Sequence, residues 1–249
     1  MNIDIIDNDQ LAFFATGISM KPVVPSETLA TAAYQKLRAE VIGGIFPFGR
    51  KLKIGALCER YGVSAAPMRE ALNRAAKDGL VQQSDQRGFS VAPLSVEDLD
   101  DLLQTRLVLN EYALRKSFEF GGHEWEEQVM LAWMRLDRIP YNPVSTEAAW
   151  ERAHRLFHAS LLSACRAPRV IAYCDQLFDS NDRYRFMART SRTRAPRRND
   201  HKLITDAVIA RRPDDAVALL SEHFTETANR CREQLMLEGR AQPPARSRS

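Results

Sequence analysis

The sequence predicts a mainly α protein in two units: three short helices closed by a β-hairpin, then an all-helical antiparallel bundle. Three observations predict it. Apolar residues recur every three to four positions along most of the chain. One weakly alternating stretch, "LVQQSDQRGFSVAPL", follows three short helical segments. From Ser95 onward, no segment alternates as a strand would.

The first helix runs from Thr28 to Ile42, with Leu29, Ala33, Leu37 and Val41 at four-residue spacing, and Gly43-Gly44 stops it. "IFPFGRKL" reads as a turn. A short helix from Lys53 to Tyr61 ends at Gly62, and Ser64 is placed to cap a third helix that reaches Asp78 before Gly79. The hairpin turns at "DQRG" and closes at Pro93. Further helices are expected near 95–120, 123–138, 146–165, 168–190, 197–211 and 213–238. Ser95 with Asp98 forms an S-x-x-D capping box variant, and Pro213 stands where a helix tolerates a missing N–H. The expected organisation is therefore an arm over 1–26, a helix-and-hairpin unit over 27–94, a helical unit over 95–238, and a basic, disordered tail over 239–249.

Bulk properties exclude several classes. The 249 residues are 45% hydrophobic, enough for two cores. A formal charge of +3 is weak evidence for nucleic acid. Four cysteines without C-x-x-C spacing read as reduced, buried thiols. No apolar run approaches the ~18 residues that span a bilayer. Asp4, Asp7 and Asp9 sit where an export signal carries cations. A cytoplasmic protein with no membrane association is expected.

Three short helices and a hairpin are the outline of a winged helix-turn-helix. In "ERYGVSAAPMREAL", Gly62 permits the tight turn and Val63 buries against the preceding helix. Ser64 serves the free N–H groups of the next helix. That helix opens with the small residues Ala66 and Pro67, so its end can enter a major groove. Arg69 is near enough to that end to reach DNA, and Arg74 lies five residues on, on a different face. Arg87-Gly88 at the hairpin tip can touch a minor groove or a phosphate.

The stretch "WERAHRLFHASLLSAC" places His154 and His158 four apart, beside Trp150, Phe157, Leu161 and Cys165 on nearly one face. Both imidazoles therefore point inward, where they need hydrogen-bond partners or a metal. His201 and His223 lie among apolar residues of two later helices, while His123 in a Gly-Gly turn reads as a surface residue. Four converging imidazoles suit a borderline ion such as Zn²⁺ or Ni²⁺ rather than Mg²⁺ or Ca²⁺. Hydrogen-bonded core histidines are the simpler alternative. The arginine-rich run "RYRFMARTSRTRAPRR" reads as a solvated helix end and loop, since its arginines make no single stripe.

These motifs resemble a known family. Gly44, Pro47, Gly49, Leu52, Gly62, Val63, Ser64, Pro67, Arg69, Glu70, Ala71, Leu72, Gly79, Leu80, Val81, Arg87, Gly88 and Val91 match the DNA-binding domain of GntR-type bacterial transcription regulators. The family usually has an arginine after the Ser, where this chain has Ala65. A bidentate base contact worth ~1–3 kcal/mol of discrimination is then missing, and Arg50, Arg69 and the wing carry more of the binding.

The region from Val96 to Leu237 resembles the helical FCD ligand-binding domain. The resemblance implies a metal held by His154, His158, His201 and His223, with His154 standing where the family has Asp, or else not ligating at all. It also implies a small organic-acid effector near the metal, with Arg106 as its carboxylate partner, although the Glu usual four residues on is Asn110 here. The implied function is a metabolite-responsive regulator, most often a repressor, binding a double-stranded operator as a homodimer. Two alternatives stand beside it: a metal-dependent helical enzyme, and a DNA-binding protein with a purely structural metal.

Overall fold

The computed structural model describes residues 28–84, 88–140, 147–189 and 200–237. The expected arm over 1–26, the tail over 239–249, Arg87 and the arginines at 192–198 lie outside them.

Helix α1 (Leu29–Ile42) opens on Thr28, whose side-chain oxygen accepts the Thr31 N–H at 3.1 Å. Its four-residue spacing buries Ala33, Leu37 and Val41 against α3 (Ala65–Lys77). Between them, α2 (Ile54–Tyr61) ends on Gly62 at φ +67, the left-handed conformation that only glycine adopts freely. Met68, Leu72 and Ala75 of α3 complete this amino-terminal core with Leu80, Val81, Phe89 and Val91.

Two expectations need correction here. The stretch read as a turn contains a strand, β1 (Lys51–Leu52), which pairs with β3 (Gly88–Val91). With β2 (Val81–Ser84) the sheet has three strands in the order β1-β3-β2, rather than two. A two-residue strand carries no period; it is set by backbone pairing, with Val91 N–H donating to the Arg50 carbonyl at 2.9 Å. Ser64 stands at the N-cap position of α3, yet its side chain makes no cap hydrogen bond. Its hydroxyl is exposed instead.

Six helices follow: α4 (Val96–Phe120), α5 (His123–Asp137), α6 (Glu147–Leu162), α7 (Pro168–Arg189), α8 (Asp200–Ile209) and α9 (Pro213–Leu237). Ser95 caps α4 by accepting the Asp98 N–H at 3.1 Å. The central α4 packs on α9, α7 and α6; α5 packs on α6 and α8. Leu99, Leu103, Leu114, Phe157, Leu161, Ile204 and Phe224 lie in their shared core. Cys165, Cys174 and Cys231 are buried and Cys58 is half-buried, and none of the four is in a disulfide.

The two units meet along α7. Arg38 of α1 donates from Nε and Nη2 to the two carboxylate oxygens of Asp179, each at 2.5 Å. Arg183 donates to the carbonyls of Gly79 and Ala92, which flank the hairpin. Gly44, at φ +69, lets the Phe186 ring press against the backbone where a Cβ would collide with it. This overturns the reading of the arginine run as solvated for Arg183 and Arg185, the two of its arginines whose side chains are described. Arg183 is 3% exposed, and Arg185 is packed inside with Glu151 and Asp182. Both sit on the inner face of α7, where carbonyls and carboxylates satisfy them.

Candidate functional site

Two sites come from these elements. The first is the outer face of α3. Burial of Met68, Ala71, Leu72 and Ala75 turns Ser64, Ala65, Ala66, Arg69, Glu70 and Asn73 outward. Pro67 is half-buried. Arg74 lies over the Tyr34 ring at 4.1 Å, so its guanidinium also packs on α1. Arg50 is exposed beside Phe46, and Gly88 opens β3 at φ +81. The sequence reading passed over Asn73, whose exposure follows from the same helical period as that of Arg69.

The second site is the histidine cluster. The i, i+4 spacing on α6 sets His154 and His158 edge-to-face, with ring centroids 4.5 Å apart and Nε2 atoms 3.1 Å apart. The first turn of α8 brings His201 to 5.1 Å from His154 by ring centroid, and α9 brings His223 to 4.7 Å from His201. One nitrogen from each of the four lies within 4.8 Å of the others. Trp150 stacks on His154, and Phe157, Phe178 and Phe224 close the walls. His123, by contrast, is on the surface near Glu126 and Glu127.

Burial sets the electrostatics. Desolvation holds His154 and His158 well below the ordinary imidazole value of 6.5, with Arg185 adding to it for His154 and His223 for His158. His223 is lowered by burial too, opposed by Asp200, whose Oδ2 is 3.4 Å from its Nδ1. Neutral imidazoles are the form that binds metal. Tetrahedral metal–nitrogen bonds of ~2.0–2.1 Å need nitrogens roughly 3.3 Å apart, so an ion would draw together the widest-spaced of these nitrogens, which lie up to 4.8 Å apart. The four residues thus fit a borderline transition metal by donor type and spacing.

These depressed values predict a pH dependence. The unfolded chain takes up protons near pH 6.5, while the folded metal-free protein resists them. Stability is therefore present in full above that pH and is lost as pH falls from 6.5 toward the lower folded values. The slope reaches about 1.4 kcal/mol per pH unit for each imidazole involved. Urea melts of chelator-treated protein between pH 7.5 and 5 check this, and a flat profile would contradict it.

Arg106 of α4 is also buried, with its guanidinium 3.9 Å above the Phe224 ring. Burial pushes its pKa down to about 10, and its charge is felt at His158 and His223. No ion pair among the described residues involves it. Three neighbours went unnoticed in the sequence. Glu151 precedes His154 by one turn and Asp200 immediately precedes His201; both offered a local signal. Arg185 gave none, since its partner Glu151 is 34 residues away.

Comparison with known proteins identifies both units. Residues 29–91 match the model of bacterial regulatory proteins of the gntR family, and residues 101–226 match the FCD domain. The chain is 36% identical over 210 residues to the uncharacterized HTH-type transcriptional regulator BphR of Paraburkholderia xenovorans, covering 82% of this chain and 85% of that one. It is 28% identical to the HTH-type transcriptional repressor GlaR of Escherichia coli, covering 77% and 90%. In fold it resembles E. coli McbR/YncC, with a TM-score of 0.70 at 18% identity, covering 83% of this chain and 98% of that one. These relatives are regulators rather than enzymes, and among the described residues no helix is long and apolar enough to cross a membrane. The chain belongs to the GntR family of DNA-binding transcription regulators and carries an FCD domain behind its winged helix-turn-helix.

Proposed function

We propose that this regulator senses a small carboxylate in its helical unit and changes its hold on a DNA operator in response. The observation that carries the reading is Arg106: a buried guanidinium, outside every ion pair among the described residues, beside a cluster suited to a cation. A buried charge without a counter-ion is costly, and an anionic ligand would relieve that cost. Zn²⁺ or Ni²⁺ held by the histidines would add a second attraction for the carboxylate.

On this reading the protein is a cytoplasmic repressor, in keeping with the name of its E. coli relative. It acts as a homodimer whose two α3 helices meet a roughly palindromic operator. Ser64, Ala66, Pro67 and Arg69 enter the major groove, Arg50 and Arg74 lie nearer the backbone, and Arg87-Gly88 form the wing contact. The functional boundary falls between residues 94 and 95.

A polar route supports coupling between the units. His154 touches Arg185, Arg185 pairs with Asp182, and Asp182 lies 3.9 Å from Arg155. Arg155 and Arg38 share Asp179, and Arg38 belongs to α1. An effector that favours one arrangement of α6 and α7 thereby biases the DNA-binding unit, provided it binds the two states unequally.

The test is thermal unfolding with a panel of mono- and dicarboxylates, on wild type and Arg106→Met. A cognate acid at about 100 times its Kd should stabilise wild type by about 2.7 kcal/mol. Arg106→Met should lose that stabilisation. A mutant stabilised as strongly as wild type would exclude Arg106 from recognition. The purely structural metal is the second reading, favoured by four imidazoles that could fill a tetrahedral shell.

A further inference from the structure

A cavity of about 630 Å³, a size usual for small-molecule sites, lies where the two units meet. One side of it is the outer face of the sheet. Val81, Phe89 and Val91 turn into the amino-terminal core, so strand alternation sends Gln82 and Ser90 the other way. These two are cross-strand partners in the β2–β3 pair, which sets the amide beside the hydroxyl. The other side comes from the helical unit: Asp98 in the first turn of α4, and Arg183 of α7.

Arg183 is the member that a ligand would complete. It is 3% exposed, and no ion pair among the described residues involves it. Its two Nη groups donate to the carbonyls of Gly79 and Ala92, and its Nε has no hydrogen-bond partner. Carbonyls are dipoles rather than counter-ions, so a full charge is buried with no opposite charge in contact. The Phe48 ring, 5.7 Å from the guanidinium, supplies only the modest attraction of an aromatic face. Asp98 is near enough for its charge to be felt there, but its Oδ2 accepts the Tyr184 hydroxyl at 2.5 Å instead.

The cavity thus offers one buried cation and one exposed anion, with a neutral amide and hydroxyl beside them. A plain anion on Arg183 would be repelled by Asp98, and a plain cation on Asp98 by Arg183. A molecule carrying both charges escapes both penalties. We propose that this cavity binds a small zwitterion of the α-amino-acid class, its carboxylate on Arg183, its ammonium on Asp98, and its remaining polar groups on Gln82 and Ser90. Each Nη of Arg183 carries a second N–H beyond the one given to a carbonyl, and Asp98 keeps Oδ1 for the ammonium. The occupant would touch the DNA-binding unit through the sheet and the helical unit through α4 and α7, so it would hold the two in one relative arrangement. The site shares no residue with the histidine cluster or with Arg106, and it stands whether or not the carboxylate reading above holds.

The test is isothermal calorimetry of the full-length protein with free amino acids and with dipeptides, two sets that tell a single residue from a short peptide. Each ligand is run beside two analogues, the acid without its amino group and the amine without its carboxylate. Wild type should bind at least one zwitterion about ten-fold or more tightly than either analogue, as expected for one charged hydrogen bond. Asp98→Asn keeps an oxygen for the Tyr184 hydroxyl but drops the charge. It should weaken the zwitterion about ten-fold and close the gap to the acid analogue. Arg183→Met should lose binding altogether. That change also removes two hydrogen bonds to the ends of the hairpin, so Ser90→Ala carries the test if the methionine variant fails to fold, with an expected loss of about three- to ten-fold. No response to any zwitterion would overturn the proposal. So would a response that Asp98→Asn and Ser90→Ala leave unchanged, or an acid analogue that binds wild type as tightly as its parent amino acid.

Discussion

Arg69→Ala is expected to abolish operator binding without lowering the melting temperature. Arg69 is exposed on the outer face of α3, one turn from its start, while Met68 and Leu72 beside it are fully buried. An exposed substitution of this kind changes stability by no more than about 0.5 kcal/mol. Its effect on binding is larger. A bidentate contact from arginine to guanine is worth about 1–3 kcal/mol, and the proposed homodimer would lose it twice. The combined loss of about 2–6 kcal/mol corresponds to roughly 30- to 10⁴-fold in affinity. Ala65 sharpens the expectation: no arginine precedes Arg69 in the first turn to share the load. Fluorescence anisotropy with the operator, beside a thermal melt, checks both halves. Normal binding by the mutant would take α3 out of the major groove.

His158→Ala is expected to strip the metal and lower the melting temperature, while leaving DNA binding by the metal-free protein measurable. His158 is 6% exposed and lies at the centre of the cluster, within 5.5 Å by ring centroid of each of the other three imidazoles. It keeps its ligand role whether the site has three or four nitrogens. A metal present at about 100 times its Kd stabilises the fold by about 2.7 kcal/mol, and that contribution disappears with the ion. The cavity left among Phe157, Phe178 and Phe224 adds to the loss. Helix α3 is built on the separate amino-terminal core, so its shape does not depend on the cluster. Metal analysis and calorimetry of the mutant check this. Unchanged metal content would remove His158 from the site.

Much of this was legible from local pattern. Four-residue spacing located α1, Gly62 ended α2, and Ser95 with Asp98 marked the start of α4, because each signal lies within one helical turn of what it controls. The histidine pair was legible for the same reason, and the matching motif residues placed His201 and His223. Features that depend on distant partners were not legible. Strand β1 exists only because β3, more than 30 residues on, offers its backbone. Arg183 and Arg185 looked like surface residues, since burial depends on the carbonyls of Gly79 and Ala92 and the carboxylate of Glu151. Ser64 was legible as a position but not as an interaction: it sits at the cap without capping.

The claim on which the sensing account depends is that the histidine cluster holds an ion. The direct measurement is elemental analysis of untagged protein purified without chelator. The account predicts about one Zn or Ni per chain, matching one site built from neutral imidazoles. No metal, even after reconstitution, would contradict it and leave the histidines as a hydrogen-bonded polar core.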